Sequence, residues 1–326
     1  MKKIGLMGCG MVARYGHLPA IQQTPDLQLH AIYDPIASRD FPHAFTDVEA
    51  FFRSGIEAVT ITSPAPCHKD NVLAAARHGL PVLCEKPLAL NRLEAEEMIA
   101  AMRQANVSLY SAFCYRFSPA ALKIRELLRT GAIGDVRSLR LIYIWSLHGK
   151  YTETGAIQQR RADRMLEGGP MVDCGTHQID LATFWLDSPV QRFAAHGAWV
   201  DEYEAPDHMW LHLDHANGAH TCVEISYSYH HTSKNRRAQF SYELIGTRGV
   251  IHYDVGQQLF KMENETGEHR FEFHGEKDFT GMYAEWARAL HSGKSDLLTS
   301  ATAGMRVVEI AREATHQVIR DRPAQR

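Results

Sequence analysis

The stretch DCGTHQID (173–180) holds an aspartate, a histidine and a second aspartate at spacings that suit proton chemistry. Asp173 and His177 stand four residues apart and Asp180 a further three, so on a helix the three share a face. An imidazole with a pKa of about 6.5 exchanges a proton at neutral pH, and a neighbouring carboxylate such as Asp180 could orient it. Each residue also has an ordinary use: Asp173 could cap the helix N-terminus, and His177 could be a core histidine. A second candidate lies in PVLCEKPLAL (81–90), where an apolar run stops at Glu85, Lys86 and Pro87. The plain reading of Lys86 is a solvated surface residue. General frequencies, about 5–6% cis for X-Pro, favour a trans bond before Pro87.

The elements around these residues give the lysine a place. KKIGLMG, LQLHAIYD, IEAVTITSP, LPVLCEKP and VSLYSAF read as strands. The segments MVARYGHLPAIQQT, DVEAFFRSG, HKDNVLAAARHG and NRLEAEEMIAAMRQAN read as helices between them, with Asp47 and Asn91 as N-caps. Such alternation predicts a parallel, doubly wound sheet over 1–116, and in such a sheet ligands bind beyond the carboxyl ends of the strands, where Lys86 stands. Between the first strand and its helix lies GCGMVA (8–13), a G-x-G-x-x-A loop. Gly8 would make the tight turn, Gly10 would let the backbone approach a pyrophosphate, and Met11 and Val12 would open a helix whose N-terminus attracts phosphate. Asp34 closes the second strand, where an acid would hold the adenosine ribose. A dinucleotide cofactor is expected, NAD before NADP, because a carboxylate at 34 repels a 2′-phosphate; Ser38 and Arg39 just beyond could offer a phosphate site instead.

Composition excludes other classes. A formal net charge of −3 gives no basic surface for nucleic acid or anionic membrane, and no apolar run reaches the ~18 residues of a membrane span. Six cysteines without a C-x-x-C pair point to reduced thiols in the cytoplasm. Histidines 208, 212, 215, 220, 230 and 231 cluster in sequence, but DHMWLHLDH alternates as a strand, setting His208 and His212 ~13 Å apart. No metal site is expected.

With these residues in place the chain resembles the Gfo/Idh/MocA family of NAD(P)-dependent oxidoreductases over nearly its whole length. GCGMVA looks like its cofactor loop, TSPAPCH (62–68) like its T-x-P-x-x-x-H segment, and EKP (85–87) like its signature tripeptide. CYRFSPA (114–120) resembles the exit from the cofactor domain, and GGPMVDCGTHQIDL (168–181) the G-G-G-x-x-x-D-x-G-x-H-x-x-D segment. Pro170 departs from the third glycine, and Cys114 stands where asparagine is common. The resemblance implies an α/β fold: a Rossmann domain over 1–116, then an α+β domain over 117–326 with a large, mostly antiparallel sheet, its last helix packing back on the first. VRSLRLIYIWS, HMWLHLD, HTCVEISYSY, AQFSYELIG and GVIHYD supply strands for that sheet, GTRG (246–249) a hairpin turn, and two late segments helices.

The resemblance also implies roles. His177 would be the general acid/base, Asp173 a hydroxyl-binding group, and Lys86 a donor to the reacting hydroxyl that stabilises developing charge. Thr62, Ser63, Pro64, His68 and Glu85 would line the cofactor, with Glu85 alternatively the partner of Lys86. Tyr115, Arg116, Trp145, His148, Arg161 and Asp163 would line the substrate. Arginines 160, 161 and 164 fit an anionic substrate or, equally, a solvated loop. The implied reaction is hydride transfer between nicotinamide and a secondary alcohol or ketone of a sugar, cyclitol or sugar acid, in a homodimer or homotetramer joined through the C-terminal sheet. A non-catalytic cofactor-binding sensor, and an enzyme using bound NAD transiently for epimerisation or elimination, remain open alternatives.

Overall fold

A computed structural model describes residues 1–36, 41, 43–145, 156–228, 238–274 and 277–322, and of 156–160 only the backbone. The chain divides into two compact units, Met1–Phe117 with Lys277–Val308 and Ser118–Glu276 with Glu309–Arg326. Segment 277–308, expected inside a domain running from 117 to 326, thus groups with the first unit.

In the first unit β1 (Lys2–Met7), α1 (Leu18–Gln23), β2 (Leu27–Tyr33), β3 (Ala44–Phe45) and α2 (Val48–Phe52) follow one another. Then come β4 (Ala58–Ile61), α3 (His68–Arg77), β5 (Val82–Glu85), α4 (Arg92–Gln104) and β6 (Leu109–Ala112). β4, β5 and β6 are buried at every residue. Strands covered by helices on both faces need no polar alternation, which is why they appear in sequence as unbroken apolar runs. Asp47 accepts the Ala50 N–H at 2.6 Å and Asn91 the Glu94 N–H at 3.0 Å, so both helices start at their caps. The helix expected over 11–24 is present, but its residues Ala13–His17 form a wide π turn before α1.

The second unit contains α5 (Pro119–Arg129), β7 (Val136–Ile144), α6 (Ala156–Leu166), α7 (Thr176–Leu186), β8 (Val190–Ala198), β9 (His208–His215) and β10 (His220–Ser226). It continues with β11 (Gln239–Gly246), β12 (Gly249–Asp254), β13 (Leu259–Asn264) and β14 (Gly267–Arg270). These strands form one sheet in the order β14-β13-β12-β11-β7-β10-β9-β8, antiparallel except for the parallel pair β7–β10. β9 alternates buried and half-buried residues along its whole length, the mark of a sheet with one covered face. The GTRG hairpin joins β11 to β12, with Ile245 opposite Val250. Helix α6 occupies the stretch that sequence left open to a loop, and α5 and β8 were not anticipated.

The chain then forms α8 (Phe279–Ser292), β15 (Thr299–Ser300) and α9 (Ala301–Arg320). β15 pairs antiparallel with β6, giving the first sheet the order β15-β6-β5-β4-β1-β2-β3, parallel elsewhere. Met282, Tyr283 and Trp286 of α8 share a core with Ile4, Leu6 and Leu83, and this apolar burial assigns α8 to the first unit. Among the described residues no helix is long and apolar enough to cross a membrane. A Cβ on Gly16 would stand 2.7 Å from a ring carbon of Phe279. Gly16→Ala should therefore cost about 1–3 kcal/mol. The double variant Gly16→Ala/Phe279→Leu should lose less than the sum of its singles, measured by urea denaturation as a double-mutant cycle. Strict additivity would mean that the two residues do not share this seam.

Candidate functional site

The glycine loop is built from backbone. Gly8 has a φ of +93°, and a Cβ there would lie 2.5 Å from the Ser63 amide nitrogen, so only glycine fits. The Thr62 hydroxyl donates to the Gly8 carbonyl at 2.6 Å, and the Gly8 N–H donates to the Tyr33 carbonyl at 2.8 Å. Asp34 accepts the N–H of Cys9 at 2.7 Å and of Ile36 at 3.0 Å, tying the loop to the end of β2 while each carboxylate oxygen retains a lone pair. A Cβ at Gly10 would meet nothing within 4 Å. The loop thus leaves open space where a pyrophosphate would approach the helix, beside the exposed Met11 and half-buried Val12. These residues fit a dinucleotide.

Ser63 accepts the Asn71 side-chain amide at 2.9 Å, and Pro64 leads into a 3-10 turn, Ala65–Cys67. His68 is 1% exposed, with Nδ1 2.9 Å from the Pro87 carbonyl and Nε2 2.9 Å from the Ser63 carbonyl. It ties the 62–64 segment to the EKP segment from inside, where the resemblance implied a cofactor contact. Burial holds its ring below the usual histidine range against the pull of the two carbonyls, so it is neutral and donates one N–H at a time.

Glu85 ends β5 with 9% exposure. Its Oε1 meets His17 Nε2 at 2.8 Å and its Oε2 accepts the Lys86 backbone N–H at 2.9 Å. Lys86 is half-buried, and the Lys86–Pro87 bond is cis, against the general frequency. Tyr115 and Arg116 lie in a buried 3-10 turn, Cys114–Phe117. Lys277 Nζ sits 5.3 Å from the Tyr115 ring centroid, and Arg116 donates to the Leu297 carbonyl at 3.1 Å. Burial pushes the Cys114 thiol up to about 12, so the residue that replaces the usual asparagine is a neutral thiol.

In the second unit Asp173 lies within a π turn, Met171–Gly175, that runs into α7. It is therefore inside the helix rather than at its N-cap. The Tyr227 hydroxyl donates to Asp173 Oδ2 at 2.5 Å, and the Cys174 thiol lies 3.6 Å from the same oxygen. Burial, reinforced by the Asp173 charge, pushes the Tyr227 phenol well above its usual value and keeps it a donor. Burial opposes the charge of Arg164, but Asp173 and Glu167 outweigh it and raise its pKa. His177 and Asp180 follow in α7, 3% and 1% exposed. Trp145 stands 6.2 Å, ring to ring, from Tyr227.

Arg161, expected to bind substrate, is 0% exposed: it bonds Asp201 at 2.8 Å, the Ser228 hydroxyl at 2.9 Å and the Tyr227 carbonyl at 3.1 Å. Its guanidinium is committed to the segment carrying Tyr227, which removes it from the argument for an anionic substrate. Asp163 follows in α6, exposed. Ser38, Arg39, His148, His230, His231 and the side chain of Arg160 lie outside the described residues. Tyr227, His17 and Tyr283 were not singled out from sequence; each sits in a run whose pattern spells only strand or helix.

A family described as "Oxidoreductase family, NAD-binding Rossmann fold" matches residues 2–113, and the "GFO/IDH/MocA C-terminal domain" matches 121–252. The chain belongs to the Gfo/Idh/MocA oxidoreductase family. Gfo/Idh/MocA relatives include trans-1,2-dihydrobenzene-1,2-diol dehydrogenase of Xenopus laevis, 34% identical over 50% of this chain and 49% of that protein. The match thus spans about half of that relative's length. D-apiose dehydrogenase of Paraburkholderia graminis is 28% identical over 81% of this chain and 70% of that protein. Among solved structures, an oxidoreductase from Agrobacterium radiobacter in complex with NAD+, L-tartaric acid and magnesium has a TM-score of 0.82 at 20% identity, covering 98% of this chain and 96% of that one. At that identity the likeness speaks for the Gfo/Idh/MocA fold alone.

His68, His208, His212 and His215 are all held below the usual histidine value, chiefly by burial. Unfolded, they protonate near 6.5, so below that pH the unfolded chain binds more protons and stability falls. The carboxylates held low, such as Glu57 and Glu85, contribute only below about pH 4.5. Urea denaturation between about pH 8 and 5 should show stability dropping below about 6.5. His68→Gln should remove up to one proton's slope, about 1.4 kcal/mol per pH unit. Equal slopes in the two proteins would contradict the assignment.

Proposed function

We propose that this protein transfers hydride between a nicotinamide and a secondary alcohol, or the matching ketone, of a sugar, cyclitol or sugar acid. The observation that carries this reading is the half-buried Asp173 carboxylate, fixed by the Tyr227 hydroxyl one turn before the buried His177. That is a hydroxyl acceptor beside a proton carrier. The relatives are named for a cyclic 1,2-diol and for D-apiose. Both compounds carry hydroxyls on neighbouring carbons, which favours a vicinal diol as substrate.

When bound, NAD supplies the hydride acceptor. In the oxidation the carbinol carbon gives up a hydride and its hydroxyl a proton. His177 takes that proton, Asp173 accepts a hydrogen bond from the substrate hydroxyl, and the Lys86 ammonium donates to the reacting oxygen or its neighbour. Asp34 would hold the ribose and disfavour a 2′-phosphate, so NAD would be preferred to NADP. Tyr115, Arg116 and Trp145 shape the substrate site. Six free cysteines fit a cytoplasmic protein, and the half-exposed face of the second sheet is the surface we assign to a homodimer or homotetramer.

A spectrophotometric screen of sugars, inositols and aldonic acids with NAD and with NADP tests the reading. NADH should appear with at least one vicinal diol and faster with NAD. His177→Ala and Lys86→Ala should each lower kcat by about 10²–10⁴-fold with NADH affinity, followed by fluorescence, largely kept. Near-normal kcat in either variant would sink the mechanism. NADH binding without turnover of any polyol would favour the sensor reading, and copurifying NAD without net turnover the epimerase or lyase reading. Asp34→Ser should shift preference toward NADP; no shift would remove the ribose contact.

A further inference from the structure

We propose that His17 and Tyr283 are positioning residues for Lys86, acting through Glu85; this deepens the reading above and rests on Lys86 serving the reaction. Four side chains form one buried line of hydrogen bonds. Glu85 Oε1 meets His17 Nε2 at 2.8 Å, His17 Nδ1 meets the Tyr283 hydroxyl at 2.8 Å, and that hydroxyl meets Thr60 Oγ1 at 3.1 Å. His17, Tyr283 and Thr60 are 0% exposed. The second Glu85 oxygen accepts the Lys86 backbone N–H, so two donors fix the plane of the carboxylate next to the lysine.

The surrounding fold is arranged for this line. A π turn inserts one residue into the helix and rotates the later side chains by about 100°, and the turn Ala13–His17 ends on the residue that reaches Glu85. Gly16 admits the Phe279 ring, which packs edge-on against His17 at 5.0 Å and opens the helix that carries Tyr283. Buried polar lines of this kind add little stability over an apolar core of the same shape. Stability therefore gives a weak account of this one, whereas its end beside Lys86 gives a direct one.

The groups facing Glu85 are His17, Lys86 and Lys277, with His68, Cys84, Cys114 and Tyr283 also within its field. Burial pushes Glu85 up, yet the His17 hydrogen bond and charge, with Lys86 and Lys277, outweigh it and hold the carboxyl below its usual value. Without the His17 donor, Glu85 would take up a proton at higher pH, and Lys86 would lose the anion beside it.

The test reads Lys86 directly. Acetylation by acetic anhydride, followed by peptide mass spectrometry, gives the rate at Lys86 relative to the exposed Lys294. His17→Ala should change that ratio by about threefold or more, the worth of one hydrogen bond. His17→Gln, which keeps an N–H donor, should return it toward the native value, and Tyr283→Phe should fall between. With the best substrate of the screen, the acid limb of the kcat/KM profile of His17→Ala should move to higher pH and move back in His17→Gln. A native labelling ratio in both His17→Ala and Tyr283→Phe would overturn the proposal, as would a His17→Gln protein with native melting temperature that behaves like His17→Ala. If His17→Ala does not fold, Tyr283→Phe and His17→Gln decide by the same ratios. Should no substrate be found, the functional reading fails, but the labelling still decides the relay.

Discussion

A carboxylate shut away from water at the end of β5 sets the terms for the first unit. Leaving Glu85 unpaired there would cost several kcal/mol, so donors must be delivered from elsewhere. One is local, the Lys86 N–H. The other is His17, which needs a widened helical turn, a glycine before it and a helix from late in the chain behind it. Seen from Glu85, the irregularities of the dinucleotide helix and the return of α8 are one requirement met three times.

The second unit solves a similar problem with different parts. Asp173 also sits in a π turn, and its partner is a phenol whose own strand end is pinned by Arg161 through Ser228 and the Tyr227 carbonyl. Arg161 in turn needs Asp201 to make its burial tolerable. Lys86 and Asp173 are half-buried, while His17, Tyr283, Tyr227 and Arg161 behind them are wholly buried. Rigidity is placed one layer behind the reacting side chain.

Most of the first unit was legible in sequence because its signals are local: apolar runs with caps, and a glycine loop followed by an acid. Lys86, Asp173 and His177 became candidates in the same way, because their motifs are contiguous. What could not be read is non-local. Tyr283 lies 266 residues beyond His17, and nothing in FTGMYAEWARALHSG marks its tyrosine as more than a core residue. Arg161 looked like a substrate ligand because an arginine in a polar run carries no sign of the Asp201 that buries it. A π turn is equally silent, since its residues satisfy the α-helical pattern. Helix α6 was obscured by its own composition, in which charged and amide side chains outnumber apolar ones.

The fold-back of residues 277–308 has a consequence for biosynthesis. The first unit is opened by the earliest part of the chain and completed by α8, with residues 118–276 made in between. At about 5–20 residues per second that interval lasts roughly 8–30 s. Throughout it the nascent sheet has β6 as a bare edge and an apolar face awaiting Tyr283 and Trp286. Exposed strand edges and apolar surface are what holdase chaperones bind and what aggregates. A chain that closes its first unit this late leaves those surfaces uncovered until α8 and β15 have been made.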